Sequence, residues 1–446
     1  MSVTVGDAAT RLERELGAAW MNVEDPQLRA HAVDGLRPRV VCRPADADQI
    51  AAVLRICGEV NAAVTPWGGG TAIGLGNVPQ RVDVVLRTDR LASLGEHDDA
   101  NLTATVQTGM PLAALNAQLA ARRQVLALDP PHPDASTIGG IVAANINGPR
   151  RAAYGGVRDL IIGMRMVLAG GEQIKSGGKV VKNVAGYDMC KLFTGALGTL
   201  GVITEVTFKM TPMPEAAATV LARGAGPAAM RVLDELFASI LQPTAITLTN
   251  ALDGLSPVME GAQALAVATE GFTEVVERHL RDIRMLAEAA GMTVETLRER
   301  DHDALWARLR DFPSDPLRTA AEPGAAPISS TSSAQAVIRL TVPLASVGAA
   351  VDTVGLLPGA TWVAHAASGA IFIRIPWAGA AGAFARLTDV AQSHRGHVVL
   401  IAAPPEVKQG LDVWGPPPQA LGLMREIKRQ FDPNDLLNPG RFVAFL

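Results

Sequence analysis

Three glycine-rich segments hold the residues best suited to chemistry: PWGGGT at 66–71, STIGG at 136–140, and the run KNVAGYDMCKLFTGALGTLGVITEVTF at 182–208. In the first, Pro66 leads into Gly68, Gly69 and Gly70. Adjacent N–H groups with no Cβ in the way can converge on a pyrophosphate, and Thr71 adds a hydroxyl donor. In the second, Ser136, Thr137, Gly139 and Gly140 precede small residues that continue through Asn145 and Gly148, so a flat ring or a ribityl chain can lie against the backbone. In the third, Gly201 opens a strand and permits close approach to a planar ring, whose edge the peptide groups of Val202 and Ile203 can meet. Taken singly, each segment also reads as an ordinary turn, packing site or hairpin. Together they indicate a large, phosphate-bearing cofactor, and their order and spacing point to flavin rather than nicotinamide.

The elements around these segments explain the choice. Residues 44–62 read as a helix that Asp46 or Asp48 caps, with Ile50, Val53, Leu54, Cys57 and Val60 at helical spacing. A short strand, Ala62–Thr65, then delivers the chain into PWGGGT. Dinucleotide and mononucleotide loops open directly into a helix. Here the chain continues through IGLGNVPQ into a strand at 82–88, and Pro79 argues against a helix between. Phosphate would therefore be held by a nest of backbone N–H groups between strands. A strand at 103–108, a helix from Met110 to about Arg122, the strand MRMVLAG and a Gly170-Gly171 hairpin complete this half, which ends near 212–214. In the third segment Asp188 caps the short helix and Cys190 is a small buried residue.

The rhythm then changes. Residues 216–404 read as strand 218–222, helix 227–240, strands 245–250 and 264–269, helix 273–290 and strand 292–297. The pattern repeats as strand 336–342, helix 345–354, strands 361–366 and 370–375, helix 379–393 and strand 397–402. Each half has the βαββαβ order of a ferredoxin-like unit. The Pro-, Ser- and Ala-rich stretch 313–335 between them reads as a loop or linker, either a surface insertion or a lid. The tail 416–446 carries one helix to about Gln430, stopped by Asp432-Pro433, and its apolar end should dock on a folded body.

Composition narrows the function further. The chain has 446 residues, 48% of them hydrophobic and 19% charged, enough for two or three cores. A net charge of −4 without a basic block argues against nucleic acid. Three cysteines, Cys42, Cys57 and Cys190, with no CxxC pair, exclude a disulfide framework and an intrinsic iron–sulfur cluster and suit a reducing, cytoplasmic setting. No signal-peptide pattern opens the chain and no apolar run reaches the roughly 20 residues of a membrane helix. Membrane contact is expected only through partners, peripheral to the inner membrane.

Residues 38–212 resemble the FAD-binding domain of the vanillyl-alcohol oxidase (PCMH-type) superfamily. The resemblance rests on PxGGGT, STIGG, YGGVRDLIIGMRMVLAGG at 154–171 and KxxxGYDxxxLFxGxxGTLGxIT. The tail FDPNDLLNPGRF resembles the end of FAD-linked 2-hydroxy-acid oxidases, and the whole chain resembles the family of FAD-binding glycolate-oxidase subunits. This implies an α+β chain: an N-terminal helical segment (1–37), a PCMH-type FAD domain of two α/β subdomains (38–214), a ferredoxin-like cap of tandem βαββαβ units (215–410) and a docking tail (411–446). It implies FAD held without a covalent bond, because the position of the flavin-linking histidine of some relatives is Gly70 here.

Relatives that oxidise D-2-hydroxy acids carry an H-x-G-D-G-N-x-H metal motif in the cap. The comparable stretch is HAASGAIF, which keeps His365 and Gly369 but has Ser368, Ala370 and Phe372 at the aspartate, asparagine and second histidine positions. One histidine does not hold a divalent ion, so no metal is expected. Hydroxy-acid oxidation needs a cation for the carboxylate and a base for the hydroxyl proton. Arg310 and Arg374 are candidates for the first, and His365, His394 and His397 for the second. The resemblance further implies a sister FAD subunit and an iron–sulfur subunit as partners, glycolate or D-lactate as substrate, and electron flow onward to quinone. A self-sufficient D-lactate or 2-hydroxy-acid dehydrogenase, an assembly subunit with little turnover, and a subunit that no longer uses flavin are the alternatives.

Overall fold

A computed structural model describes residues 5–178, 186–252, 262–314 and 335–446. The beginning of the 182–208 run and most of the 313–335 stretch lie outside the described residues. Among those described, the strands form four sheets.

The first sheet contains β1 (Met21–Asn22), β2 (Val40–Cys42), β3 (Val64–Trp67) and β4 (Val84–Arg87), in the order β1-β2-β4-β3. Strands β2 and β3 both run parallel to β4, Val64 opposite Val84. The helix Ala47–Glu59 crosses between β2 and β3; Asp46 caps it, accepting from Gln49 N at 2.8 Å, and Ile50, Val53, Leu54 and Cys57 are buried beneath it. Between β3 and β4 the connection is the glycine loop, as the sequence indicates. Strand β3 extends two residues further than expected, through Pro66 and Trp67, because buried Trp67 packs with Val41, Val82 and Val85.

The second sheet is antiparallel: β5 (Leu94–Asp98), β6 (Thr103–Gln107) and, beyond a short β7 (Gln124–Val125), β8 (Ile161–Val167), β9 (Gln173–Gly177) and β10 (Val202–Lys209), ordered β5-β6-β10-β8-β9. Strands β8 and β9 make the hairpin expected at Gly170-Gly171. Strand β11 (Thr211–Pro212) returns to pair with β7. The helix expected over 110–122 is shorter, Leu112–Ala120, and begins after Pro111.

The cap is one eight-stranded antiparallel sheet. Its strands are β12 (Ala216–Ala225), β13 (Ala245–Thr249), β14 (Ala262–Gly271), β15 (Thr293–Arg298), β16 (Gln335–Thr341), β17 (Thr361–His365), β18 (Ala370–Pro376) and β19 (His397–Ala402). The order β15-β12-β14-β13-β17-β18-β16-β19 consists of two ferredoxin-like units joined edge to edge through β13 and β17, Thr247 opposite His365. Joining them removes two exposed edges. Four helices, Gly226–Ala238, Thr273–Ala289, Val347–Gly355 and Trp377–Ser393, bury one face of the sheet in the largest core.

The opposite face has a second helix layer that the sequence reading missed. Glu299–Asp311 is a helix, and its Leu305 and Leu309 pack with Leu221, Ala264, Ala266 and Val363. The charged stretch ERDHDALWARLRD gave no clean apolar stripe, since only His302, Leu305 and Leu309 are buried and the first of these is polar. This helix covers the first unit, and the remaining face, on the second unit, meets the flavin-type domain.

Candidate functional site

The glycine loop and the 135–140 segment are built against each other. A Cβ on Gly68 would stand 2.1 Å from Thr137 Oγ1, and one on Gly69 1.7 Å from the Ala135 carbonyl oxygen. The protein's own packing therefore requires both glycines, Gly68 against the Thr137 side chain and Gly69 against the backbone of Ala135. Thr71 Oγ1 lies 3.0 Å from Ser136 Oγ, which donates to the Pro131 carbonyl at 2.6 Å. Thr137 caps the helix Ile138–Ala144, accepting from Gly140 N. Asn145 ends that helix in a left-handed conformation, φ 50°.

Two narrow clefts open along this seam. One runs between Pro66, Gly68, Gly139, Gly140 and the strand start Gly201, Val202 and Ile203. The other follows Gly68, Gly69, Gly70 and Thr71 to Asn438 and Arg441. A third, larger space of about 1340 Å³, counting its open mouth, lies under the cap; Thr71, Ser136, Gly140, Asn145 and Gly148 line its floor. The shared residues Gly68, Thr71 and Gly140 make the three spaces neighbours. The expected cofactor residues thus converge, with two qualifications. Thr137 lines none of the spaces and acts as a cap. The Ile203 carbonyl already accepts Thr108 Oγ1 at 2.8 Å, beside a β-bulge between Ile203 and Glu205.

The tail holds this arrangement, which the sequence reading anticipated only as docking. Buried Arg441 donates from Nη1 to Asp34 Oδ2 at 2.6 Å and to the Asn77 carbonyl at 2.8 Å, and from Nη2 to the carbonyls of Ile73 and Leu75. Buried Lys408 joins the same Asp34 at 2.8 Å and the Gly74 carbonyl at 2.6 Å. With four carbonyls of 73–77 turned to these cations, the loop conformation is set by residues more than 300 positions away. Lys428 does the same for the other wall, donating to Asp432 at 2.6 Å and to the Thr199 and Leu437 carbonyls at 3.0 Å.

Strand register decides what the cap presents. His365, Ala370 and Thr341 fall in one row, and Val363, Phe372 and Arg339 in the next. His365, Thr341, Ala370, Phe372 and Arg339 all line the space under the cap. His365 is 3% exposed; its Nδ1 is 3.1 Å from Thr247 Oγ1, and Nε2 has no hydrogen-bond partner. Burial pushes its pKa down to about 4, so the imidazole is neutral at pH 7. With the proton on Nδ1, the Nε2 lone pair is unused.

The other candidates are placed elsewhere. Arg374 Nε donates to the Phe312 carbonyl at 3.0 Å, with its guanidinium 4.7 Å from the Phe312 ring. Arg310 pairs with Asp311 at 2.9 Å, and Asp311 accepts His132 N at 3.0 Å. Neither arginine lines the space. In the structure Arg374 secures the end of the helix Glu299–Asp311, and Arg310 orients a contact between cap and flavin-type domain. His394 ends the helix Trp377–Ser393 and His397 is exposed at the start of β19, both away from the cavity lining. Among the described residues, no group of three or more His, Cys, Asp and Glu converges as a metal site. Ser368, Ala370 and Phe372 stand around His365 instead, the Phe372 ring 5.4 Å away.

Arg339 was not singled out from the sequence. Its signal is a lone cation at an inward position of the apolar strand QAVIRLT. Arg150, Tyr154 and Glu270 were also missed. Glu270, on the cap, accepts Arg150 Nη2 at 2.6 Å and Tyr154 OH at 2.8 Å, fastening the cap beside the cavity. Asp129 accepts Gly148 N and Arg150 N, both at 3.0 Å, and burial raises its carboxyl to about 6.

Comparison with known proteins matches two family models. Residues 38–177 match the FAD binding domain, and 211–396 with 416–442 match the C-terminal domain of FAD linked oxidases. Glycolate oxidase subunit GlcD of Bacillus subtilis strain 168 is 35% identical over 261 residues, 56% of this chain and 55% of that protein. Glycolate oxidase subunit GlcE of Escherichia coli strain K12 is 42% identical over 121 residues, 27% of this chain and 35% of that protein. The matched stretches thus span about half of the first relative and about a third of the second. Among solved structures, p-cresol methylhydroxylase with substrate bound superposes with a TM-score of 0.70 at 17% identity, covering 98% of this chain and 96% of that one.

Proposed function

We propose that this chain, which belongs to the FAD-linked oxidases with a PCMH-type FAD-binding domain, oxidises a small 2-hydroxy acid, with glycolate the first candidate and glyoxylate the product. The observation that carries the reading is His365: a buried, neutral imidazole with an unpartnered Nε2, lining a cavity whose floor is the cofactor seam.

The residues present fit FAD, the cofactor of this family. The seam offers backbone at Gly68–Thr71 where side chains would obstruct, small residues at Gly139 and Gly140, and the strand start Gly201–Ile203. The residues proposed to hold it are Pro66, Gly68, Gly69, Gly70, Thr71, Ser136, Gly139, Gly140, Asn145, Gly148, Gly201, Val202 and Ile203, with Thr137 supporting the helix behind them. Gly70 leaves no side chain for covalent attachment at the loop. When bound, FAD supplies two-electron acceptance, which no side chain of this protein provides. The protein contributes the remainder: His365 Nε2 takes the hydroxyl proton, Thr247 fixes the imidazole, and Pro130, Pro131, Ile141 and Phe372 limit water around it.

We place the chain in a larger assembly. The two relatives are subunits by name. Cys42 and Cys57 are buried in one core and Cys190 in another, so this chain offers no four-thiolate set for a cluster. An iron–sulfur subunit and a sister FAD subunit are the proposed partners, with quinone as the final acceptor. No helix among the described residues is long and apolar enough to cross a membrane, so membrane contact is assigned to those partners. A second reading has the sister chain perform the substrate step; it is favoured by Ser368, Ala370 and Phe372 standing where relatives carry metal ligands. Anaerobic addition of glycolate to the purified chain separates the two. Bleaching of the flavin band on a catalytic timescale supports a complete site here. A yellow protein that stays oxidised until its partners are added supports the second reading.

A further inference from the structure

Arg339 raises a charge problem within the cavity. It sits on β16 in the second unit's inner face, and its Nε is buried without a hydrogen bond. No ion-pair or hydrogen-bond partner stands opposite it among the described residues, and the cavity lining contains no aspartate or glutamate. Arg151, from the flavin-type domain, lines the same cavity and adds a second, more exposed positive charge. Burial, with Arg151 adding to it, lowers the Arg339 pKa to about 10, which leaves it cationic at pH 7. A half-buried guanidinium with its Nε fully enclosed and unpaired is costly, and it is retained where a ligand completes it.

The strand register sets its relation to His365. His365 on β17 faces Ala370 on β18, which faces Thr341 on β16; Arg339 is two residues further along β16. Two strand spacings and two residue rises separate the backbones by about 12 Å. A long arginine and an imidazole, both lining one cavity, span most of that distance and leave room for a small molecule between them.

We infer that Arg339 anchors the carboxylate of the acid, with Arg151 reinforcing the positive field from across the cleft, so that the C2 hydroxyl falls to His365. The inference rests on the proposed 2-hydroxy-acid reading and replaces Arg310 and Arg374 in the carboxylate role. A planar guanidinium meets a carboxylate with two parallel N–H···O bonds and so fixes orientation as well as affinity.

The test uses the FAD-loaded full chain and two acids that cannot be oxidised at C2: 2-hydroxyisobutyrate, which lacks a C2 hydrogen, and oxalate. The uncharged 2-hydroxyisobutyramide is the control. Binding is read by thermal shift and by perturbation of the flavin spectrum, in wild type, Arg339→Gln, Arg339→Lys and the surface control Arg165→Gln. The expected result is that at least one acid, and not the amide, stabilises wild type and Arg165→Gln. Arg339→Gln should weaken it about tenfold or more, and Arg339→Lys should recover part of the loss. Retained yellow colour in the variants shows that they fold. Wild-type affinity in Arg339→Gln overturns the inference, as does failure of both acids to bind wild type. A changed flavin spectrum in Arg339→Gln with acid binding intact also overturns it, by assigning the arginine to the cofactor. If acids bind through Arg339 but no 2-hydroxy acid reduces the flavin, the proposed activity fails while the anchor stands. Turnover by Arg339→Gln at wild-type KM has the opposite meaning.

Discussion

Arg441 and Asp34 are 407 residues apart in sequence and 2.6 Å apart in space, Nη1 to Oδ2. Between them runs the loop that follows the triple glycine. Arg441 and Lys408 take its carbonyls, Asp34 balances both cations, and all three side chains are buried. Within the loop Ile73 N, Leu75 N and Asn77 N donate to the carbonyls of Gly70, Ala72 and Arg441, so the cations and the backbone together fix its course beside the triple glycine.

Removing one member of this network leaves the others charged and buried. Arg441→Met is expected to cost about 3–5 kcal/mol of stability, the usual penalty for breaking a buried pair. It should also release FAD, since the loop it holds lines the cofactor seam. Thermal unfolding together with absorbance near 450 nm after gel filtration measures both. A variant as stable and as yellow as wild type refutes the clamp.

Two glycines give a paired test of the seam. In Gly69→Ala the new Cβ would meet the Ala135 carbonyl oxygen at 1.7 Å, and both are backbone, so neither yields cheaply. Loss of soluble protein or of FAD is expected. Gly58→Ala, inside the helix Ala47–Glu59 with nothing within 4 Å, should instead raise stability by about 0.5–1 kcal/mol. Expression yield, flavin content and melting temperature separate the two.

His365→Asn keeps a polar group near Thr247 but removes Nε2. Turnover of the 2-hydroxy acid, alone or in the reconstituted assembly, is expected to fall about 10²–10⁴-fold with FAD retained. Because burial depresses the imidazole pKa to about 4, it protonates only as pH falls toward that value. The kcat/KM profile of wild type should therefore show no acid limb near pH 6.5. A limb centred there would place His365 in solvent-like surroundings.

Asp129 makes the stability of the loop at 148–150 depend on pH in a defined direction. Its folded carboxyl is raised to about 6 by burial, against roughly 3.9 unfolded. The folded state holds this proton more tightly, so the contribution is fully present below about pH 4 and is lost as pH rises through about 6. Relative to Asp129→Asn, wild type should lose on the order of 2 kcal/mol over that interval. Urea unfolding of both proteins at pH 4 and 7 measures it; parallel curves would contradict the assignment.

Much of the fold was readable because its signals are local. The capped helix at 47–59, the Gly170-Gly171 hairpin and both βαββαβ units follow from apolar period and turn residues. The helix Glu299–Asp311 was not, because its buried face is narrow and its composition charged. The glycine segments identified the cofactor seam for a related reason: close backbone approach excludes a Cβ whatever the partner, so the requirement is written in residue type.

Residue type alone did not separate His365 from His394 and His397, or Arg339 from Arg310 and Arg374. Each set is chemically equivalent along the chain. What distinguishes its members is which strand faces which: β17, β18 and β16 bring His365 and Arg339 onto the cavity side, while Phe312 and Asp311 engage the other arginines. The same holds for Arg441 and Lys408, whose partners lie hundreds of residues away. The sequence determined the elements and the seam, because propensity, turn chemistry and steric exclusion act over a few residues. Tertiary structure alone decided which polar side chains are buried without a partner, because burial and pairing depend on strand register and on contacts between distant segments.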